Sequence, residues 1–199
     1  MFTVFLVDDD ASVLKALSRL LRAKGCQVRP FISPREFLDH HDATVPGCAV
    51  LDVAMPELDG LELQQALTAA GAQRPVIFIT GAGDIPTSVR AMKAGAIDFL
   101  TKPVSDKDLV DAIDRANEQD ARNRQIQAEL AVIQTKMATL TPREREVLTR
   151  VVAGRLNKQI AADLGTSEKT IKVHHGRMMD KLGVRTVADL VRLVEKAGK

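Results

Sequence analysis

The sequence predicts two domains in series: an α/β domain built on a parallel five-stranded sheet, then an all-helical domain. Three observations predict this. Short, nearly continuous apolar runs alternate strictly with helix-spaced segments up to about residue 116, and such strands imply a parallel sheet covered on both faces. Beyond residue 139 only helical patterns follow, punctuated by Thr, Ser and Gly. Charge changes with architecture, from net −6 over residues 1–120 through +2 over 121–138 to +6 over 139–199. A basic back end either meets a polyanion or is a solvated face.

The first run, Thr3 to Val7, is β-rich and ends in Asp8, Asp9 and Asp10. It reads as a strand, not a signal peptide, because no basic segment precedes it. Val13, Leu14, Leu17, Leu20 and Leu21 then recur at helical spacing. Residues 26–29 form a second strand, and Ser33, Pro34 and Glu36 supply a cap, a first-turn proline and a capping-box carboxylate. The third strand, 48–52, ends at Asp52; Met55-Pro56 then breaks the ladder, since proline has no N–H. A helix over 60–70 leads to a fourth strand, 75–79, closing on Thr80-Gly81-Ala82-Gly83. A helix through Val89, Met92 and Lys93 stops at Gly95, and a fifth strand, 97–100, precedes Lys102 and Pro103. Ser105 and Asp108 are the cap and third position of the next helix, which packs through Leu109, Ala112, Ile113 and Ala116.

In open α/β sheets, sites gather at the carboxyl ends of the strands. Asp8, Asp9, Asp10, Asp52, Thr80 and Lys102 end the first, third, fourth and fifth strands, so the fold brings them to one edge. Asp52 alone reads better as a helix cap; the convergence is what argues for chemistry. Clustered carboxylates stay ionised together only beside a cation, and oxygen ligands with open water positions suit Mg²⁺. Asp52 is then placed as a nucleophile toward phosphorus, giving an acyl phosphate, with Lys102 balancing the incoming charge. No P-loop, His/Cys metal spacing or Ser-His-Asp order offers another chemistry.

Val7-Asp8-Asp9-Asp10, Leu51-Asp52-Val53-Ala54-Met55-Pro56, Asp59-Gly60, Ile79-Thr80-Gly81 and Asp98-Phe99-Leu100-Thr101-Lys102-Pro103 resemble the receiver domain of two-component response regulators, and residues 79–103 resemble its FixJ-like subgroup. The resemblance covers about residues 1–118. It implies a flavodoxin-like sheet of order 2-1-3-4-5 and phosphoryl transfer from a sensor histidine kinase to Asp52. It further implies Mg²⁺, or Mn²⁺ in its place, held by Asp9, Asp52 and the Ala54 carbonyl, with Asp8 supporting through water. Thr80 and Lys102 would meet the phosphoryl oxygens, and Phe99 would be either an aromatic switch or a plain core residue. Asp10 reads as a first-turn helix charge. Ala54 and Ala82 are small where such chains often carry more, which implies a water-accessible, shorter-lived phosphate.

Residues 119–138 read as a helical linker, one long helix or two nearly continuous ones. Its seam of Ile126, Leu130, Ile133, Met137 and Leu140 suits either a dimer contact or docking on its own chain. Thr141, Pro142 and Glu144 then open a helix with Val147, Leu148, Val151 and Val152 inward. A short helix from Asn157, a turn at Gly165 and a third helix from Ser167 to Leu182 form a helix-turn-helix unit, closed by a fourth helix over 187–194. On the second of the paired helices, Lys169, Lys172, Val173, His174, Arg177 and Lys181 offer cations and one small apolar group. The chain has neither Trp nor Tyr, which counts against single-strand stacking. A basic protein-interaction bundle is the bland alternative.

Leu140 to Leu148, Asn157 to Ala161, Leu164 to His174 and Lys181 to Val184 resemble the LuxR-type DNA-binding domain, over about residues 139–197 of a domain that runs 139–199. The resemblance implies double-stranded DNA as partner, contacted by Lys169, Thr170, Lys172, Val173 and Arg177, with Glu144 in a buried polar frame. His175-Gly176 departs from members with a base-contacting Lys or Arg there. Together the two resemblances imply a transcription factor that dimerises when phosphorylated and works with RNA polymerase, rather than an enzyme. An aspartyl-phosphate enzyme would want a second carboxylate where Ala54 stands; a regulator indifferent to phosphate is the other competitor. Cys26 and Cys48 read as buried free thiols, no apolar run spans a membrane, and the expected location is the cytoplasm.

Overall fold

The computed structural model describes residues 2–81 and 85–198; Ala82 and Gly83, singled out above, lie outside them. The chain folds as two compact units, Met1–Arg124 and Gln125–Lys199. The chain begins with β1 (Thr3–Val7), α1 (Ala11–Ala23), β2 (Gln27–Phe31), α2 (Pro34–His40), β3 (Gly47–Asp52), α3 (Gly60–Ala69), β4 (Val76–Thr80), α4 (Ile85–Lys93), β5 (Asp98–Thr101) and α5 (Asp106–Ala138), the last running past the end of the first unit. The strands are all parallel, ordered β2-β1-β3-β4-β5. Every residue of β1, β3 and β4 is buried, as central strands covered on both faces require. Pro30 lies in β2, at the sheet edge where a missing N–H is tolerated.

Alternation along the strands divides the core into two layers. Phe5, Val7, Leu51 and Phe78 pack with Phe37, Leu61, Leu63 and Ala91 of α2, α3 and α4. Val4, Leu6, Val50 and Ile79 pack with Leu14 and Leu21 of α1 and Leu109, Ile113 and Ala116 of α5. Glu36 differs from its expected capping-box role: its carboxylate accepts from the Ile32 N–H at 2.9 Å, one residue upstream of the Ser33 cap. Asp10 is the N-cap of α1, accepting from the Ser12 N–H, rather than a first-turn charge. Cys48 is fully buried and Cys26 only partly so; both are free thiols.

The polar run after residue 118 is not loose chain. α5 continues unbroken, and Asp120, 5% exposed, accepts from the Gly47 N–H at 3.2 Å and from Arg124 Nε at 2.8 Å. Arg124 also donates to the carbonyls of Ala43, Thr44 and Val45. Arg74 donates to the carbonyls of Asp42 and Val45 and to His41 Nε2. Its guanidinium carbon lies 4.1 Å from the centre of the Phe5 ring, and burial pulls its pKa down to about 10. Two guanidinium groups thus hold four consecutive carbonyls at the amino end of the sheet. Arg124→Ala is expected to cost roughly 1–3 kcal/mol by stranding Asp120, read as a lowered urea midpoint with faster amide exchange at residues 43–47.

In the second unit, α6 (Pro142–Val152), α7 (Asn157–Asp163), α8 (Glu168–Leu182) and α9 (Val187–Ala197) follow the end of α5. Val147, Ile160, Ile171, Met178, Leu182 and Leu190 form the core, with Leu140 buried and Met137 packed against it. The linker seam therefore divides: its carboxyl end docks on its own chain, whereas Ile126 is 51% exposed. Helix α9 runs one turn further than its apolar pattern predicts. Gly183 ends α8 in the left-handed region at φ +70°, where a Cβ would be strained. Among the described residues, no helix is long and apolar enough to cross a membrane.

Candidate functional site

The carboxyl ends of β1, β3, β4 and β5 bring the anticipated side chains together. Asp8 and Asp52 are buried, at 2% and 5% exposure, and Asp9 is exposed. One carboxylate oxygen from each of Asp8, Asp9 and Asp52 lies within 4.8 Å of the others. Lys102 Nζ stands 2.7 Å from Asp8 Oδ2 and 2.9 Å from Asp52 Oδ1. The Lys102 N–H donates to the Thr80 carbonyl at 2.7 Å, which fixes the lysine beside the end of β4. Thr80 is buried as the last residue of β4, and Ile79 before it pairs in register with Asp52. Asp8 also accepts from the Asp10 N–H at 2.9 Å.

Electrostatics make this a site rather than a set of caps. Burial pushes the Asp52 carboxyl above the ordinary carboxylate range; Lys102 pulls it back, and Asp8 and Asp9 add to the rise. Burial alone would lower Lys102, but its hydrogen bonds to Asp8 and Asp52 outweigh it and hold the ammonium above its usual value. One lysine faces three acids, so charge is left over. Three convergent hard oxygens fit a divalent cation of the Mg²⁺ type.

The loop from β3 to α3 shapes the rim. Glu57 has φ +68°, and the Leu58 N–H donates across it to the Pro56 carbonyl at 2.8 Å, a tight three-residue turn. Asp59 caps α3 in a reciprocal box with Glu62, a role that the Asp59-x-x-Glu62 spacing signals and that the motif resemblance alone does not. The Gly60 N–H donates to the Val53 carbonyl at 3.1 Å, drawing α3 against the strand end. Ala54 is exposed on this loop. Phe99, half-buried on β5, pairs in register with Phe78, their ring centroids 6.3 Å apart.

In the second unit, Ser167 Oγ caps α8 through the Thr170 N–H at 3.1 Å and also meets Thr170 Oγ1 at 2.8 Å. Ile171, Met178 and Leu182 are buried, leaving Lys169, Thr170, Lys172, Val173 and Arg177 exposed on the opposite side. Val173 is 46% exposed, apolar surface that the bundle itself does not use. Lys181 departs from its expected place among the outward cations: its ammonium is 2.6 Å from Glu144 Oε2 and 3.1 Å from the Thr139 carbonyl. Glu144, 2% exposed, also accepts from the Thr141 N–H. The hydrogen bond from Lys181 is the main cause holding the Glu144 carboxyl below the usual carboxylate range. That stability is present above the unfolded-state pKa and is lost as pH falls through the lowered one. Lys181→Met is expected to cost roughly 1–3 kcal/mol at neutral pH, with the gap to wild type closing in acid; thermal melting against pH reads both. His175 Nδ1 lies 3.2 Å from Asn157 Oδ1, tying α8 to α7.

Sheet order and acid pocket define a receiver-type α/β domain, and α7 and α8, joined through the Gly165 turn, define a helix-turn-helix unit. The family described as response regulator receiver domain matches residues 4–114, and bacterial regulatory proteins of the luxR family match residues 138–194. Nodulation protein W of Bradyrhizobium diazoefficiens is 45% identical over 98% of this chain and 86% of its own. Transcriptional regulatory protein FixJ of Rhizobium meliloti is 39% identical over 99% of this chain and 97% of its own. Among solved structures, response regulator StyR matches with TM-score 0.81 and 47% identity over 98% of each chain. Full-length FixJ from B. japonicum matches with TM-score 0.60 and 38% identity, over 98% of this chain and 97% of that one. The chain belongs to the response-regulator transcription factors of the FixJ type, with a receiver domain and a LuxR-type DNA-binding domain. A kinase and DNA are the partners this pairing implies.

Proposed function

We propose that Asp52 accepts a phosphoryl group from the phosphohistidine of a sensor histidine kinase and that the modification controls dimerisation and DNA binding. The observation that carries this is the meeting of Asp8, Asp9 and Asp52 within 4.8 Å around one lysine. An Asp52 oxygen forms the bond to phosphorus as the bond to the kinase imidazole nitrogen breaks. Lys102, already 2.9 Å from Asp52, pairs with a phosphoryl oxygen, and the Thr80 hydroxyl donates to another. Asp9, Asp52 and the Ala54 carbonyl would hold Mg²⁺, or Mn²⁺ in its stead, with Asp8 in support. When bound, that ion neutralises carboxylate and phosphoryl charge. The same groups support transfer from a small phosphodonor and later hydrolysis, so the receiver assists its own phosphorylation and dephosphorylation.

Phosphate adds charge and strong acceptors at a strand end, which biases a two-state receiver through Thr80 and Phe99. In this reading residues 1–118 act as the receiver, 119–138 as the linker and 139–199 as the reader, with α5 carrying the signal between. Paired α8 helices of a homodimer lie in the major groove of duplex DNA through Lys169, Thr170, Lys172, Val173 and Arg177, half-sites about one helical turn apart. RNA polymerase is the downstream partner, and the cytoplasm the place of action. Gel shifts on duplex DNA with and without a small phosphodonor and Mg²⁺ test the coupling. Tighter binding only with both supports it; equal binding in every lane sinks it.

A further inference from the structure

Gly176 lies in the middle of α8, five residues after Ile171 and two before Met178, both fully buried. Glycine inside a helix is disfavoured about fivefold against alanine, so an interior glycine needs a reason. The fold supplies none. A Cβ at Gly176 would meet nothing within 4 Å, and its φ is not in the left-handed region. The residue is exposed, on the side that carries Lys169, Lys172 and Val173, opposite the buried stripe. A groove of about 520 Å³ opens beside it, flanked by Lys172, His175, Met179, Asp180, Arg185 and Val187. His175 bonds to Asn157 on the groove wall, so α8 stays anchored to α7 where its own surface is thinnest.

We propose that Gly176 is a specificity-determining position: its missing side chain lets the base-pair edges of duplex DNA approach the α8 backbone, seating Val173 and Arg177 deeper in the major groove. The occupant is DNA, because the cations Lys172 and Arg185 outnumber the acid Asp180 around the gap, and Val173, exposed on that side of α8, suits a thymine methyl. This rests on α8 being the recognition helix. The glycine's conformational cost is retained for what it admits, not for how the protein folds.

The test uses the full-length protein, treated with phosphodonor, and a library of randomised duplex DNA. Wild type is first used to enrich a sequence; Gly176→Ala and Gly176→Leu are then titrated against that duplex and against unselected DNA. Both variants should fold, with the alanine variant melting above wild type. Binding to the enriched duplex should weaken roughly threefold for alanine and tenfold or more for leucine, while binding to unselected DNA, governed by phosphate contacts, changes less than about twofold. Repeated enrichment with the leucine variant should return a different sequence. Variants that bind the enriched duplex as wild type does overturn the proposal while leaving the recognition helix standing. Failure of wild type to enrich any sequence overturns the recognition-helix reading, and this proposal with it.

Discussion

Asp52→Asn is expected to abolish phosphate incorporation from a small phosphodonor and to leave DNA binding indifferent to it. Intact-mass measurement reads the first, gel shifts the second. Stability should move the other way. The Asp52 carboxyl is raised above its ordinary range, chiefly by burial, so the unfolded chain gives up this proton at lower pH than the folded one. Stability therefore falls as pH rises from the ordinary value through the raised one, and ionised Asp52 is a net cost at neutral pH. Asparagine removes that cost. In metal-free buffer with a chelator the variant should melt above wild type at neutral pH, and the difference should vanish in acid, where wild-type Asp52 is protonated. A variant that still takes up phosphate would move the acceptor elsewhere.

Gly60→Val is expected to damage fold and site together. A β-carbon at Gly60 would lie 2.4 Å from the Asp52 carbonyl oxygen and 3.1 Å from the Phe78 ring. The first is backbone that cannot swing aside, so α3 or the end of β3 must shift. Overpacking of this kind costs roughly 1–3 kcal/mol, seen as a lower denaturation midpoint. Because the displaced oxygen belongs to Asp52 itself, phosphoryl uptake should fall about a hundredfold, the scale of a ~1 Å misplacement of a reacting group. Gly60→Ala carries the same clash with a smaller side chain and keeps the test open if valine prevents folding. A wild-type midpoint and wild-type uptake in the alanine variant would show that the close approach is not what positions Asp52.

The sheet was legible because its central strands are nearly continuous apolar runs and several of its helices carry capping residues where they begin. The acid pocket was legible because Asp52 and Thr80 end their strands and Asp8 and Lys102 directly follow theirs, and parallel topology sends strand ends to one edge. Lys181 was not legible. Its spacing on α8 leaves it between the faces, and Glu144, 37 residues earlier, together with the Thr139 carbonyl turns its ammonium inward. The helix after residue 118 was legible from its spacing, but its anchoring was not: Asp120 and Arg124 find partners 73 to 81 residues away.

Local chemistry by itself determined where strands and helices begin, which residues stand at the strand ends, and that an acidic unit precedes a basic one. These depend on periodicity, caps and proline, which act over a few residues. Tertiary structure alone decided which charges are consumed inside the molecule and which are left to act on partners. Lys102 is held between two buried acids, Lys181 is bound to Glu144, and Lys169 and Arg177 stay in solvent. The physical reason is that a charge is assigned by burial and by neighbours distant in sequence, and both exist only once the chain has folded.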